Sequence, residues 1–141
     1  GMQNDDIRHK TDDLLQRLKF SEHRNSLVSD LPLGWKQKLA FSVSIFHNPG
    51  IVFLDEPTGG VDPATRRQFW ELIYDAAERG ITVFVTTHYM DEAEYCDRIS
   101  IMVDGKIKAL GTPDELKRKL KQPDMDHVFT YLARQAVRSS D

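Results

Sequence analysis

Two short apolar runs stand out along the chain, and each has the composition of a buried β-strand. They cover residues 51–54 and 81–86 and are rich in β-branched and aromatic side chains. Between them, Asp62 and Pro63 suit the start of a helix and Gly80 suits its end. The pattern predicts a β-α-β unit whose strands are parallel, buried on both faces and joined by a right-handed crossover.

The segment before this unit shows helical spacing of its apolar residues. An amphipathic helix is predicted over residues 5–19 and a second helix over residues 35–47, which Asn48-Pro49-Gly50 would end. Between the two helices, Pro32 and Gly34 argue against continuous helix, and a loop is expected around residues 31–34.

The C-terminal third is predicted to contain short elements, in the order helix, two strands of a hairpin, and two helices. They cover residues 90–95, 98–103, 106–110, 113–121 and 124–138. The dipeptide Asp104-Gly105 is typical of a tight hairpin turn, and we expect the hairpin at the edge of the sheet. The whole pattern is that of an α/β protein.

Composition and charge narrow the class of protein. The chain has 141 residues, of which 40% are hydrophobic and 29% charged, as in one ordinary globular domain. Its net charge is -3 with both signs interspersed, so no basic patch indicates nucleic acid. The single cysteine, Cys96, favours a cytosolic protein. The apolar runs are too short to span a bilayer, so a membrane role would require a partner.

Two adjacent acids, Asp55 and Glu56, follow the first apolar run directly. The carboxyl end of a parallel strand is where open α/β sheets bind ligands, and adjacent buried acids are unfavourable without a compensating cation or substrate. Asp55 suits a magnesium ion, directly or through water, and Glu56 is free to deprotonate an attacking water. The alternative is that the pair only caps the turn that follows.

His88 follows the second apolar run. The β-α-β geometry should bring it to the same sheet edge as Asp55 and Glu56, within reach of a γ-phosphate. The alternative is a histidine that makes only structural hydrogen bonds.

Four segments together resemble the ATP-binding-cassette (ABC) ATPase family. The string Ile51-Val-Phe-Leu-Asp-Glu-Pro-Thr58 resembles the family's Walker B segment with its catalytic glutamate. Residues 59–62, Gly-Gly-Val-Asp, resemble the D-loop, and residues 86–94 resemble the switch histidine and its following helix. Residues 31–40 stand in the place of the signature, whose usual form is Leu-Ser-Gly-Gly-Gln.

The resemblance implies a role for each candidate residue. Asp55 would be a magnesium-site residue, Glu56 the general base, His88 the γ-phosphate sensor and Asp62 a contact across a head-to-tail dimer. Gly34 would begin the signature helix, whose free N–H groups and positive end can face a phosphate on the opposite subunit. The implied cofactors are ATP and Mg²⁺, and the implied partner is a second ABC ATPase domain.

The signature departs from the family pattern at three positions. Pro32 stands where the usual serine would be, Leu33 replaces the first glycine, and Trp35 replaces the glutamine. Pro32 offers a phosphate neither a hydroxyl nor an N–H, and Leu33 adds bulk where close approach is expected. Weakened or one-sided hydrolysis is one interpretation, and the other is that Leu33 and Trp35 simply pack the helix entrance.

The phosphate-binding half of the family's site has no counterpart here, because the sequence contains no Gly-x-x-x-x-Gly-Lys-Ser/Thr loop. We therefore expect a partial P-loop NTPase fold: a mostly parallel sheet flanked by helices, with a C-terminal hairpin and helices. Its expected parts are the rest of the helical subdomain with the signature (2–50), half of the catalytic core (51–112) and C-terminal helices (113–141). We expect a fragment that does not hydrolyse ATP alone.

Within the family, residues 86–94, the turn at 104–106 and the tail at 124–129 resemble bacterial efflux members. The resemblance implies the ATP-binding subunit of an exporter, cytoplasmic and held at the inner face of the membrane by a permease. Two alternatives remain: a soluble family member acting on nucleic acid or ribosomes, and an inactive fragment that only associates with other chains.

Overall fold

A computed structural model describes residues 3–138, which divide into two compact units at the Thr86–Thr87 peptide. The helices of the described residues are α1 (Asn4–Arg17), α2 (Leu33–Ser44), α3 (Pro63–Glu78), α4 (Met90–Ala93), α5 (Pro113–Leu120) and α6 (Met125–Arg138). The strands are β1 (Ile51–Asp55), β2 (Thr82–Thr86), β3 (Ile99–Val103) and β4 (Lys106–Gly111). Short 3₁₀ turns cover Ser21–His23 and Val28–Asp30.

The first unit contains the β-α-β arrangement that the sequence predicts. Strands β1 and β2 are parallel, and their register runs from Ile51 beside Thr82 to Asp55 beside Thr86. Helix α3 connects them and contacts β2. Its start is fixed by Asp62, whose carboxylate accepts the backbone N–H groups of Ala64 and Thr65, both at 3.0 Å.

The strands are not buried on both faces, which corrects the prediction. Alternate residues of β1 and β2 are exposed and half-buried, and Phe53 is 69% exposed. On that face the rings of Phe53 and Phe84 lie 5.6 Å apart. In the described part of this unit, α3 is the helix that packs extensively on the strand pair, and it packs against β2. An unbroken apolar run is compatible with burial on both faces but does not specify which layers are present.

Helix α2 begins earlier and ends earlier than its apolar spacing predicts. It starts at Leu33, so the expected loop ends at Pro32 and Gly34 lies in the first turn. Pro32 has extended backbone and acts as the N-cap, and its carbonyl accepts the N–H groups of Trp35 and Lys36 at 3.0 and 3.1 Å. Proline suits a helix boundary because its missing N–H costs nothing there.

A small core anchors α1 against this helix. Leu18, Phe20 and Leu31 are buried together, with Trp35 and Leu39 packed against them. The Phe20 and Trp35 rings lie 4.9 Å apart. The signature-like segment is therefore held in place by apolar packing from the residues before it.

The second unit contains the predicted hairpin, with Asp104 and Gly105 both at positive φ, 50° and 71°, as a tight hairpin turn requires. The expectation that it forms the edge of the β1–β2 sheet is wrong, because β3 and β4 form a separate antiparallel sheet. Helices α5 and α6 pack on the hairpin instead and give it a core of its own. That core contains Ala93, Ile101, Leu116, Met125, Val128 and Leu132.

Helix α5 begins with a reciprocal cap between Thr112 and Glu115, as the sequence predicts for Thr112.

Within residues 3–138, none of the helices combines the length and the apolar character needed to cross a bilayer.

Candidate functional site

Asp55 is the last residue of β1 and lies exposed beside Thr86 of β2. The Thr86 hydroxyl donates a hydrogen bond to Oδ1 of Asp55. This bond orients the carboxylate at the carboxyl end of the parallel pair, which is the side where ligands bind in such sheets. Asp55 thus has the position that the sequence predicts, with a neighbour that fixes its direction.

Glu56 has backbone that is rare for its residue type. Its φ is 44°, in the left-handed region, where a non-glycine residue costs about 1–3 kcal/mol. Its N–H donates to the carbonyl of Thr86 at 3.0 Å and lies 3.2 Å from the Thr86 hydroxyl oxygen. Thr86 therefore anchors both acids, and the local strain at Glu56 is of the kind that clusters at functional sites.

The turn after Glu56 closes through main-chain atoms. The N–H of Gly59 donates to the carbonyl of Glu56 at 3.0 Å, and Gly60 has a φ of 74°. The Asp55 carboxylate is engaged by Thr86 and not by this turn. The alternative in which the acids serve only to cap the turn is therefore disfavoured for Asp55.

The residues at this strand end fit a magnesium ion. Mg²⁺ is usually held by one or two carboxylates, with water and substrate phosphates completing its octahedron. Asp55 supplies such a carboxylate, since Thr86 engages one of its two oxygens. In the part of the chain that is described, no group of three or more His, Cys, Asp or Glu side chains forms a metal cage.

Asp62 has both carboxylate oxygens engaged within its own helix. Oδ1 accepts two backbone N–H groups, and Oδ2 accepts the Thr65 hydroxyl at 2.5 Å. The hydrogen bond from the Thr65 hydroxyl, followed by the one from the Thr65 N–H, lowers the pKa of Asp62. The capping role that the sequence predicts is confirmed, whereas a role across a dimer remains a prediction.

Gly34 lies in the first turn of α2, directly against the start of α3. A Cβ at this position would overlap the methyl group of Thr65. The side-chain amide of Gln37 in the same helix donates to the carbonyl of Gly59 at 3.2 Å. The structure therefore brings the signature-like segment and the D-loop-like turn together within one unit, and Gly34 permits their close approach.

Of the three substituted signature residues, Trp35 and Leu33 behave differently. Trp35 is half-buried against Phe20, and the Nζ atom of Lys38 lies 4.7 Å from its ring centre. Leu33 is 51% exposed. Packing of the helix entrance therefore accounts for Trp35 but not for Leu33.

His88 belongs to the second unit and is exposed, two residues beyond the end of β2. Its ring centre lies 4.2 Å from that of Tyr89. Because Asp55 and Glu56 belong to the first unit, the predicted meeting of His88 with the two acids remains a prediction.

Three residues with site-related contacts were not singled out by the sequence. Thr86 holds both acids, and the sequence offered a signal for it, because Thr86 ends the second predicted strand and Asp55 directly follows the first. Lys38 is only 7% exposed, donates to Gln68, and has a pKa lowered by burial. Glu92 is fully buried, and no sequence signal separates it from its acidic neighbours Asp91 and Glu94.

Comparisons with known proteins identify the family of the chain. A family model described as "AAA domain, putative AbiEii toxin, Type IV TA system" matches residues 4–90. The probable multidrug ABC transporter ATP-binding protein YbhF of Escherichia coli is 56% identical over 110 residues, which are 74% of this chain and 19% of that protein. The human cholesterol transporter ABCA5 is 40% identical over 121 residues, 84% of this chain and 7% of that protein. The chain thus spans a small part of these relatives.

Solved structures give the same picture. An ATP-binding subunit of an ABC transporter has a TM-score of 0.77 and 25% identity, over 94% of this chain and 56% of that one. The cbiO1 protein of Clostridium perfringens, part of the ABC transporter complex cbiONQ, has a TM-score of 0.74 and 28% identity, over 86% of this chain and 49% of that one. The chain belongs to the family of this AAA domain model and to the ABC ATPase domains, whose P-loop NTPase fold it shares in part.

Proposed function

We propose that this chain supplies the hydrolytic half of the ATP-binding subunit of an ABC exporter. The observation that carries the proposal is the strand end where Thr86 holds Asp55 and the strained Glu56 side by side. The family membership supports ATP as the substrate. The names of the relatives, a probable multidrug ABC transporter ATP-binding protein in E. coli and a cholesterol transporter in humans, support a role in transport. The outward direction rests on the resemblance of residues 86–94 to efflux members.

In this mechanism each residue acts at one step. Asp55, oriented by Thr86, would hold Mg²⁺, directly or through water, and the ion would supply charge neutralisation for the phosphates. Glu56 accepts a proton from the attacking water, and its left-handed backbone sets the direction in which its side chain leaves the strand. His88 contacts the γ-phosphate from the loop after β2.

The remaining residues serve assembly. Gly34 places the N-terminus of α2 for a phosphate held by a second ABC ATPase domain, and Asp62 contacts that domain in a head-to-tail dimer. The expected parts are the helical-subdomain remainder (2–50), half of the catalytic core (51–112) and the C-terminal helices (113–141). A permease in the cytoplasmic membrane holds the assembly at the inner face and selects the transported compound.

The chain alone is not expected to bind ATP with ordinary affinity, because its sequence has no phosphate-binding glycine loop. Calorimetry with Mg²⁺ and ATP tests this directly. Magnesium-dependent binding in the micromolar range would contradict the division of labour that we propose.

The hydrolytic role is tested in a chimaera, defined here as the E. coli relative with its matching residues replaced by this chain. We expect the chimaera to hydrolyse ATP in a magnesium-dependent manner. Asp55→Asn should raise the Mg²⁺ concentration needed for half-maximal turnover. The exposed residue Asp75 in α3 provides the matched control, since Asp75→Asn should leave the Mg²⁺ dependence unchanged. An equal Mg²⁺ dependence in both variants would remove Asp55 from the metal site.

A further inference from the structure

A fully buried carboxylate lies next to the loop that carries His88. Glu92 is in the short helix α4 and is 0% exposed. Its Oε2 accepts a hydrogen bond of 2.6 Å from the Thr87 hydroxyl. The same hydroxyl oxygen accepts the N–H of Tyr89 at 3.0 Å. One buried acid therefore engages the residue before His88, and through it the residue after His88.

The main chain closes the same loop a second time. The N–H of Glu92 donates to the carbonyl of Tyr89 at 3.1 Å, which begins the first turn of α4. Ala93, the next residue, is part of the core of the second unit. The His88 loop is thereby tied to the packed core through both a side-chain and a main-chain connection, although His88 itself is exposed.

An acid at this position is costly unless it does something that an apolar residue cannot. Burying a carboxylate is strongly unfavourable unless hydrogen bonds compensate for the lost water. What the carboxylate provides is a fixed direction for the Thr87 hydroxyl. Because Glu92 accepts the hydrogen of that hydroxyl, a lone pair of the Thr87 oxygen faces the N–H of Tyr89.

We propose that Glu92 and Thr87 are positioning residues that fix the backbone on both sides of His88 and so set the direction of its imidazole. Neither residue is expected to touch the nucleotide. The consequence for phosphate sensing rests on the proposed function, whereas the positioning itself is a property of this chain and can be measured without ATP.

The first test is hydrogen exchange of the Tyr89 amide in the full chain. Thr87→Val removes the acceptor while keeping the shape, so the protection of the Tyr89 amide should fall by about tenfold, the worth of one hydrogen bond. Thr87→Ser keeps the hydroxyl and should restore the protection. The amides of β3 and β4 in the same sample report the stability of the whole unit and should not change.

The second test changes the acid. Glu92→Gln keeps an oxygen that can accept the Thr87 hydroxyl, so the Tyr89 amide should stay protected. Glu92→Leu removes the acceptor of the Thr87 hydroxyl without leaving a cavity, so the protection of the Tyr89 amide should be lost. The ring resonances of His88 should shift in Glu92→Leu and Thr87→Val, because the ring no longer keeps its place at 4.2 Å from Tyr89. The exposed His127 in α6 is the internal reference and should not shift.

The outcomes separate positioning from general stability. Loss of protection confined to Tyr89, with rescue by serine, supports the proposal. Unchanged protection in Thr87→Val overturns it, and so does an equal loss at Tyr89 and throughout β3 and β4, which would make Thr87 a purely stabilising residue. Because no measurement here requires nucleotide, failure of the proposed ATPase role would leave these results intact.

Discussion

The two segments that carry the candidate hydrolysis residues are organised in opposite ways. At the end of β1, Asp55 and Glu56 are exposed and are held by an exposed threonine and by unusual backbone at Glu56. After β2, His88 is also exposed, but its loop is held by a fully buried carboxylate. The first arrangement holds the acids through a threonine hydroxyl and main-chain geometry. The second, as we propose above, positions a histidine through a buried hydrogen-bond relay.

The contrast teaches how each segment should respond to change. Backbone geometry is set by the strand register, so the acids should tolerate substitutions of distant residues but not of Thr86. A buried relay depends on exclusion of water, so the His88 loop should be sensitive to the core of the second unit.

The largest expected effect concerns Cys96, a half-buried residue three positions beyond the end of α4. Burial, followed by the nearby charges of Glu92 and Asp97, raises the pKa of the Cys96 thiol to about 11. Since the thiolate is the reactive form, alkylation at pH 8 should be about 100-fold slower than for an ordinary cysteine, a tenfold decrease for each of two pKa units. Mass spectrometry against time measures the rate. A rate equal to that of the unfolded chain in urea would mean that the α4 region is open.

The next effect concerns the anchor of the two acids. Thr86→Val removes the hydroxyl that orients Asp55 and should lower turnover of the chimaera by about tenfold, the kinetic equivalent of about 1.4 kcal/mol. Thr82→Val, at the other end of the same strand and exposed, is the matched control. Steady-state ATPase assays of the two variants decide the matter, and equal turnover in both would show that Asp55 needs no such support.

A stability effect tests the contact between the signature-like and D-loop-like segments. Gly34→Ala forces a methyl group against Thr65 and should lower the free energy of unfolding by about 1–3 kcal/mol. Gly50→Ala is the control, because a Cβ there meets no atom within 4 Å. Urea unfolding of the chain measures both variants. If Gly34→Ala is as stable as Gly50→Ala, close approach does not explain the glycine.

The smallest effect is a gain of stability at Glu56. Asparagine tolerates left-handed backbone better than glutamate, so Glu56→Asn should raise the free energy of unfolding by about 0.5–1 kcal/mol while removing the proposed base. Glu78→Asn, at the end of α3, is a comparison in which no such gain is expected. A loss of stability in Glu56→Asn would indicate that the residue is not strained.

Parts of this structure follow directly from sequence signals that are local. Asp62 with Pro63 marks the start of α3, and the positive φ angles that Asp104 and Gly105 adopt are those a tight hairpin turn demands. The parallel pairing of β1 and β2 follows from the helix that connects them. Once the end of β1 is predicted, the position of Asp55 at that strand end follows.

Other parts depend on packing, which no local signal encodes. The apolar strand runs did not indicate that Phe53 is exposed, because burial depends on which layers cover a sheet. The acids Asp91, Glu92 and Glu94 look alike in sequence, yet only Glu92 is buried against Thr87, whereas Glu94 pairs with Lys117 at 2.7 Å. The left-handed backbone of Glu56 likewise has no local signal, because glutamate rarely adopts a positive φ.

The most direct test of the account is turnover by the chimaera carrying Glu56→Gln, measured together with its ATP affinity. Glutamine keeps the size and the hydrogen-bonding atoms but cannot accept the proton, so turnover should fall by about 100-fold or more while ATP binding is retained. Glu78→Gln, an exposed acid outside the strand end, should leave both quantities unchanged. Undiminished hydrolysis by Glu56→Gln would contradict the general-base role of Glu56 and with it the proposed mechanism.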